Sequence, residues 1–470
     1  MKTNLPVAVI GAGPVGLAAA AHLIARGVPV RIYEAGGHAG ASISQWGHVR
    51  LFSPWRYNVD TAARALLADT GWREPDADEF PTGAQLLDQY LLPLAHVPAI
   101  ADALKTGMRV TGIARAGLDK VISKDRERRP FNIVLTNTKG ETVRVQARAV
   151  IDASGTWTQP NPLGADGMPA AGEAQSRRVA YGIPDVLGRD RATYAGRSVL
   201  VVGAGHSAAN SLIDLVTLRQ SDPQTIIAWA TRSPDLKRVY GGGAADQLPA
   251  RGDLGARLKG LVASGEVALF AGFPVAQVSD DADGVMLTSD AIGGARTVGP
   301  FERVIVATGQ RPDLSFLREL RLDIDPALEC ARALAPLIDP NVHSCGSVRP
   351  HGHRQLSHPE PDFYTIGVKS YGRAPTFLLL TGYEQARSVA AAIADDLAAA
   401  DQVNLVLPET GVCSAPTLSA EAVPAAACCG GPAKDEASAC CAADEEAKAN
   451  KKGGCGCSSS ADRIQETADV

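Results

Sequence analysis

Two stretches of this chain carry glycines at a spacing that cradles a phosphate. The first is Gly11-x-Gly13-x-x-Gly16, directly after the apolar run Val7–Ile10. Gly11 permits a tight turn, Gly13 lets a pyrophosphate approach the backbone, and Gly16 lets a helix pack closely on the strand. That helix, read over Ala18–Ala25 and stopped by Gly27, offers free N–H groups and a partial positive charge. The next apolar run, Val28-Pro-Val-Arg-Ile-Tyr, ends in Glu34, a carboxylate placed to take both hydroxyls of an adenosine ribose. Strand, glycines, helix, strand and acid all agree on a dinucleotide, whereas a glycine-rich turn without a ligand leaves Glu34 a coincidence.

The second stretch is Gly203-x-Gly205-x-x-Ala208, after the run Ser198–Val202. Its following strand ends not in an acid but in Arg232, with Lys237 and Arg238 close behind. A carboxylate there repels a 2′-phosphate, while arginine grips one, so NADPH is expected over NADH. The plain alternative is a solvated surface arginine. Two such units imply electron transfer between two bound cofactors. Nicotinamide supplies hydride, and an acceptor that stores two electrons is usually a flavin, so FAD is expected on the first unit. Two turns, Ala153-Ser154-Gly155 and Ala307-Thr308-Gly309, end strands where the chain crosses between the units. Gly155 is therefore a candidate flavin contact.

The cysteines are distributed very unevenly. Of nine, none falls in the first 329 residues and seven lie between Cys413 and Cys457. Cys428/Cys429 and Cys440/Cys441 are vicinal pairs. Trivalent arsenic and antimony are soft and thiophilic, so these pairs suit metalloid capture. Binding of another soft metal and an inert appendage are the competing readings, and no spacing matches a C-x₂-C…C-x₂-C zinc site. Cys345 is placed to receive metalloid near the flavin, or else is a small buried residue; Cys330 is expected to pack in a helix.

The elements that must position these groups follow from periodicity. Strands are read over Met108–Ala116, Phe131–Asn137, Glu141–Ser154, Thr225–Arg232 and a run through Arg303–Val306. Helices are read from about Gly83 to Leu92 and from Tyr383 to about Ala400. The fold class expected is α/β, with two Rossmann-like dinucleotide-binding domains, the NADPH domain inserted in the FAD domain. The boundaries are 1–165 and 305–405 for the FAD domain and 166–304 for the NADPH domain. Residues 406–470 lack Phe, Trp and Tyr, cannot bury enough apolar surface to offset ordering entropy, and are expected to form a disordered Cys-rich tail. A net charge of -5 argues against a nucleic-acid partner. The apolar run Val7–Ile24 could be taken for an export signal or anchor, but the glycine motif explains it better. A cytoplasmic protein with no membrane partner is expected, its thiols reduced.

The two glycine motifs, the A-S/T-G turns and the insertion resemble the two-dinucleotide-binding-domain flavoproteins over about residues 5–400. That resemblance implies FAD on the first motif and NADPH on the second. Disulfide reductases of this group need a cysteine pair beside the flavin, which a chain without cysteine before Cys330 lacks. Among the flavin-dependent monooxygenases, the segments WGHVRLFSPW (Trp46–Trp55), PTGAQLLDQYL (Pro81–Leu91), DASGTWTQPNPLG (Asp152–Gly164) and HSCGSVRPHGHRQLSHPEP, with the cysteine tail, resemble enzymes encoded in bacterial arsenic-resistance operons. This implies O₂-dependent oxidation of a trivalent metalloid. The FxGxxxHxxxY/W fingerprint of the common flavin monooxygenases is not matched before the second motif, where Gly172 and Tyr181 stand without its Phe or His. By family position Lys369, Tyr371, Gly372 and Arg373 cradle the isoalloxazine. Trp46, Ser53 and Trp55 line the flavin, or else pack the interface. His351, His353 and His358 form a cluster that could bind metal but has no evident fourth ligand; flavin contact or loop stabilisation suits them better. A reductase of metal ions or small disulfides, and a metalloid-delivery protein with a vestigial flavin fold, remain as alternatives.

Overall fold

The computed structural model describes residues 4–241, 249–290, 294–342, 351–374 and 377–403. Cys345 and the whole 406–470 segment, with Cys428, Cys429, Cys440 and Cys441, lie outside them.

Chain order builds two parallel sheets and two antiparallel ones. Strands β1 (Val7–Ile10), β2 (Val30–Tyr33) and β3 (Leu104–Lys105) begin the first parallel sheet. Next come β4 (Met108–Arg115), β5 (Phe131–Asn137) and β6 (Thr142–Ala147), an antiparallel three-stranded sheet, then β7 (Ala149–Asp152). The second parallel sheet takes β8 (Val179–Tyr181), β9 (Ser198–Val202), β10 (Ile226–Ala230) and β11 (Ala268–Phe270). An antiparallel trio, β12 (Val275–Asp280), β13 (Val285–Ser289) and β14 (Arg296–Phe301), precedes β15 (Arg303–Val306) and β16 (Phe363–Thr365). The parallel sheets run β16-β7-β1-β2-β3 and β11-β10-β9-β15-β8. All strands of the second sheet lie in sequence between β7 and β16, so it is inserted into the first. In both, the strand order reverses beside the strand that leads into a glycine turn, where ligands of open α/β sheets bind.

Burial explains the strand composition. All four residues of β1 are buried, as are those of β7, because a parallel sheet is covered on both faces. The helix Pro14–Ala25 is apolar all round save for buried His22, which meets Asp60 at 3.0 Å, and Ala18 to Ala21 are fully buried. It packs on its sheet on one side and on the helix Leu379–Ile393 on the other, and small side chains permit both approaches. A Cβ added to Gly382 would stand 2.5 Å from Val15 Cγ2. The buried triad Arg115–Glu360–Arg126 ties the antiparallel sheet to the segment before β16, with Arg115 Nε donating to Glu360 Oε1 at 2.7 Å.

Several elements differ from the sequence reading. The first helix begins at Pro14 rather than Ala18, since Gly13 caps it and proline is tolerated in a first turn. The single run Glu141–Ser154 is two strands in two sheets, β6 and β7, divided at Arg148, whose amide donates to Pro6. Alternation continues through the break, so periodicity cannot reveal a change of partner. The helix expected over Gly83–Leu92 is a capped turn, Gly83–Leu86, a π turn, Leu87–Leu91, then Leu92–His96. Pro93 has no N–H to donate and its ring crowds the preceding turn, which widens the helix there. The last helix starts earlier, at Leu379. It breaks at Asp395 (φ 66°), and Asp396 caps a new turn, Leu397–Asp401. Cys330 is buried as expected but sits in a bend beside the Ile324–Ala331 bridge rather than in a helix.

Candidate functional site

Gly11 adopts φ 95°, and a Cβ there would lie 2.7 Å from the Ala153 carbonyl oxygen. The turn is therefore pressed against Ala153-Ser154-Gly155, at a conformation and a distance that only glycine tolerates. Gly16 is held equally close, its Cβ position 2.1 Å from Gly11 O. Gly13 is the N-cap of the first helix, Pro14 opens its first turn, and neither a capping side chain nor an acid is present there. A Cβ on Gly13 would meet nothing within 4 Å. The first turn thus leaves room beside Gly13 for an approaching phosphate. Glu34 folds onto this mouth. Its Oε2 accepts from the Ala12 amide at 2.8 Å and its Oε1 from Gly36 at 2.7 Å. A carboxylate holding two donors keeps acceptor capacity for a pair of hydroxyls.

The second turn repeats this geometry with different supports. Gly203 has φ 142°, and its Cβ position is 2.2 Å from Ala307 O, so it is pressed against the second crossover turn. The indole of Trp229 donates to the Gly203 carbonyl at 2.7 Å. Gly205 caps the helix His206–Ser221 without a side-chain bond and has open space before it. Ala208 is fully buried, small enough for close packing. Arg232 lies at the end of β10, exposed, with Nη1 donating to the Ala165 carbonyl at 2.9 Å.

The two crossovers lie side by side. The Asn161 amide donates to Gly309 O and the Arg311 amide to Gln159 O, each at 2.9 Å, around a Pro160–Gln310 bridge. Thr156 Oγ1 donates to Gln310 at 3.1 Å. A cavity of about 320 Å³ opens nearby at the carboxyl end of β8, lined by Gln45 and Trp157 from one side and by Tyr181, Ile183, Arg189 and Thr193 from the other. Trp157 donates its indole N–H to Gln45 Oε1 at 2.8 Å, fixing that wall. The Phe52 ring lies 5.1 Å from His206 at the second motif. His48 is in the same segment. Burial lowers its pKa against the pull of Asp185, and its Nε2 is buried without a hydrogen bond.

The remaining residues singled out by sequence occupy varied places. Lys369 is fully buried, its Nζ paired with Asp152 Oδ2 at 2.7 Å, so it does not present its ammonium to an open cradle. Tyr371 is buried against Phe377 and His351. Gly372 (φ 58°) lies so close to Leu328 that a Cβ would meet its carbonyl oxygen at 1.9 Å, and Arg373 donates its amide to that carbonyl. Gly155 (φ 72°) faces Val368, which is 41% exposed, an apolar platform at the mouth of the first site. Trp46 packs on Gly83 and lies 6.4 Å from Trp157, beside the cavity. Ser53 is buried and donates to Asn58, and Trp55 is a core residue; both pack the fold.

The three histidines serve separate bonds. His351 Nε2 meets the Gln385 amide at 2.9 Å, His353 Nε2 meets Asp401 at 2.9 Å, and His358 Nδ1 accepts from the Asp323 amide at 3.3 Å. No metal-binding group of three or more His, Cys, Asp or Glu occurs among the described residues. Asp152, Gln385, Gln45 and Trp157 escaped the residue-level reading. Asp152 and Trp157 flank the A-S-G turn and could have been found from it; Gln385 and Gln45 carry no such signal.

A family model described as pyridine nucleotide-disulphide oxidoreductase matches residues 8–331, spanning both glycine turns and both crossovers. The chain belongs to that family. Its fold is that of FAD- and NADP(H)-dependent flavoproteins. It is 30% identical over 221 residues to the indole-3-pyruvate monooxygenase YUCCA1 of rice (Oryza sativa subsp. japonica), a match covering 46% of this chain and 46% of that one, so the chain spans about half the length of that curated relative. Among solved structures it resembles the bacillithiol disulfide reductase of Bacillus cereus, with a TM-score of 0.61 at 20% identity, covering 83% of this chain and 99% of that one. It also resembles the FAD-bound cadaverine monooxygenase DfoA of Erwinia amylovora, with a TM-score of 0.57 at 14% identity, covering 90% and 99%. Among the described residues no helix is long and apolar enough to cross a membrane.

Proposed function

We propose that this chain is an NADPH- and O₂-dependent FAD monooxygenase that oxidises a trivalent arsenical, arsenite or methylarsenite, to its pentavalent form. The observation that carries the reading is the pair of open, uncapped glycine turns whose crossovers are stitched together with no thiol between them among the described residues. The first 329 residues contain no cysteine. Cys330 is the one described thiol, pushed up to about 12 by burial and by Asp325, so it is protonated and inert at neutral pH. Among the described residues, electrons arriving at the first site therefore have no dithiol to pass to.

The residues fit the two cofactors as follows. Gly11, Gly13, Gly16, Glu34 and Gly155 would hold FAD; Gly203, Gly205, Ala208 and Arg232 would hold NADPH. When bound, these groups supply hydride transfer and activation of O₂. The protein orients them, with the helix N-termini binding pyrophosphate and Val368 and Trp157 excluding water from the meeting point. Overall, NADPH, a proton, O₂ and the arsenical give NADP⁺, water and the arsenical with one more oxygen. The arsenic lone pair receives that oxygen, and no side-chain base is needed. The thiols Cys428, Cys429, Cys440, Cys441 and Cys345 would gather substrate by tethered capture. The domain division at about 165 and 305 belongs to the same reading.

The test is NADPH consumption and O₂ uptake by the purified protein, with and without methylarsenite, scored by arsenic speciation. Stimulation of both with a pentavalent product supports the reading. Anaerobic NADPH oxidation that reduces a metal ion or disulfide, with no arsenic oxidised, establishes a reductase instead. Truncation after Leu407 should weaken activity at low arsenical and spare bound FAD; retention of arsenic binding without any turnover in the intact protein marks a delivery protein.

A further inference from the structure

Beneath the first crossover turn is an ion pair shut off from water. The side chains of Lys369 and Asp152 are both 0% exposed, with Nζ 2.7 Å from Oδ2. The contact is ionic only, Asp152 Oδ2 accepting no hydrogen bond; the ammonium donates instead to Ser154 Oγ at 3.0 Å and lies 4.4 Å from the centre of the Phe316 ring. Ser154 in turn donates twice to Asp152 Oδ1, from its hydroxyl at 2.7 Å and its amide at 3.1 Å. Four elements meet at this knot: the end of β7, the A-S-G turn, the turn Gly367–Tyr371 and the turn Ser315–Leu317.

A fully buried ion pair is an inefficient way to gain stability, since desolvating both charges offsets most of their attraction and a packed apolar pair often serves as well. Its hydrogen bonds to a shared neighbour do fix geometry: Lys369 and Asp152 each bond Ser154, and each of those bonds has one direction. What it fixes here is the wall of the first glycine turn. Ala153 O and Ser154 Cα stand 2.7 and 3.0 Å from the Cβ position of Gly11. The segment bearing Lys369 is held from its other side as well. The Gly367 amide donates to Gln385 Oε1 at 2.8 Å, and Ser370 Oγ donates to the Gly367 carbonyl at 2.7 Å. Val368, the residue between these two anchorages, faces Gly155 across the mouth of the site.

We infer that Lys369 and Asp152 form a positioning pair that locks the Asp152–Gly155 turn against Gly11, so that the flavin cradle is formed before FAD arrives. The inference rests on the assignment of FAD to the first turn. Neither side chain touches the cofactor. Their effect passes through Ser154 and the backbone of the turn.

The experiment compares the full-length parent with K369M/D152L, in which an apolar pair of similar size replaces the ions, and with S154A, which keeps both charges and removes the hydroxyl link. Three quantities are read: thermal unfolding of the apoprotein, the FAD dissociation constant by flavin fluorescence, and the midpoint potential of the bound flavin. For the double variant the expected result is a near-parental unfolding temperature, an FAD dissociation constant raised about tenfold or more, and a shifted potential, because packing is kept while direction is lost. S154A should raise the dissociation constant about threefold at unchanged unfolding temperature, the loss of one hydrogen bond. Parental FAD affinity and potential in the double variant, or in S154A should the double variant fail to fold, overturn the positioning role. A parent chain that binds no FAD overturns the cofactor assignment itself, a separate outcome.

Discussion

The two glycine turns are built on one backbone plan and buttressed by opposite chemistry. Each presses a left-handed glycine on the carbonyl of a crossover turn, Ala153 for Gly11 and Ala307 for Gly203, and each opens an uncapped helix toward solvent. Behind the first stands a closed ionic knot, Lys369–Asp152–Ser154. Behind the second stands an indole, Trp229, hydrogen-bonded to the turn itself. The strand ends differ too. Glu34 is tied to its own turn by two amides, whereas Arg232 reaches the connector at Ala165. A site fixed by internal bonds suits a cofactor that stays. A site whose charged group is exposed and lightly held suits one that comes and goes.

The largest effects should separate the two turns outright. Gly11→Val meets both a φ of 95° and the Ala153 carbonyl; the purified protein should be colourless, with FAD affinity down about a hundredfold or more. Gly203→Val should leave the protein yellow but abolish reduction by NADPH, read as loss of flavin bleaching under anaerobic stopped flow. Yellow protein from the first, or normal reduction in the second, breaks the pairing of turns with cofactors. Next in size, Arg232→Ala should raise the KM for NADPH about 10- to 100-fold and leave that for NADH unchanged, because a charge-assisted bond to the 2′-phosphate is worth roughly 1.5–3 kcal/mol. An equal change for both nucleotides would make Arg232 a surface group only. Glu34→Gln removes the charge and sets an NH₂ against one of the two amides, Ala12 or Gly36, and should weaken FAD binding about tenfold on the same scale.

The smallest expected effect is on pH. His358 sits beside β16 in the first sheet, and burial lowers its pKa to about 4. The folded state thus keeps a neutral ring that the unfolded chain protonates near its ordinary value of about 6.5. Its contribution is complete above about pH 6.5 and is lost as pH falls toward 4. Glu360 acts in the same region at lower pH. Burial would raise its pKa, but hydrogen bonds from Arg126 and Arg115 outweigh this and lower it, so its stabilisation is present above the ordinary carboxylate value and fades in stronger acid. FAD release should therefore begin as the solution is acidified below pH 6.5, followed by flavin fluorescence, and His358→Gln should move its onset to lower pH. An unaltered release curve would remove His358 from the account.

The sequence by itself determined the two glycine turns, the helices behind them and the strand-end charges. Each of these is local: a glycine at positive φ, an apolar run of four or five residues, or an acid at a fixed distance leaves its mark within about thirty residues. The tertiary structure alone decided that Glu141–Ser154 feeds two sheets and that Ser53 and Trp55 are packing groups. It also turned Lys369 inward and gave the three histidines three separate partners. These outcomes depend on pairs such as Lys369 with Asp152, or His351 with Gln385, far apart in the chain. Nothing in the residues near Lys369 encodes which buried carboxylate will face it; that follows only when β7 and β16 pair side by side and bring their ends together.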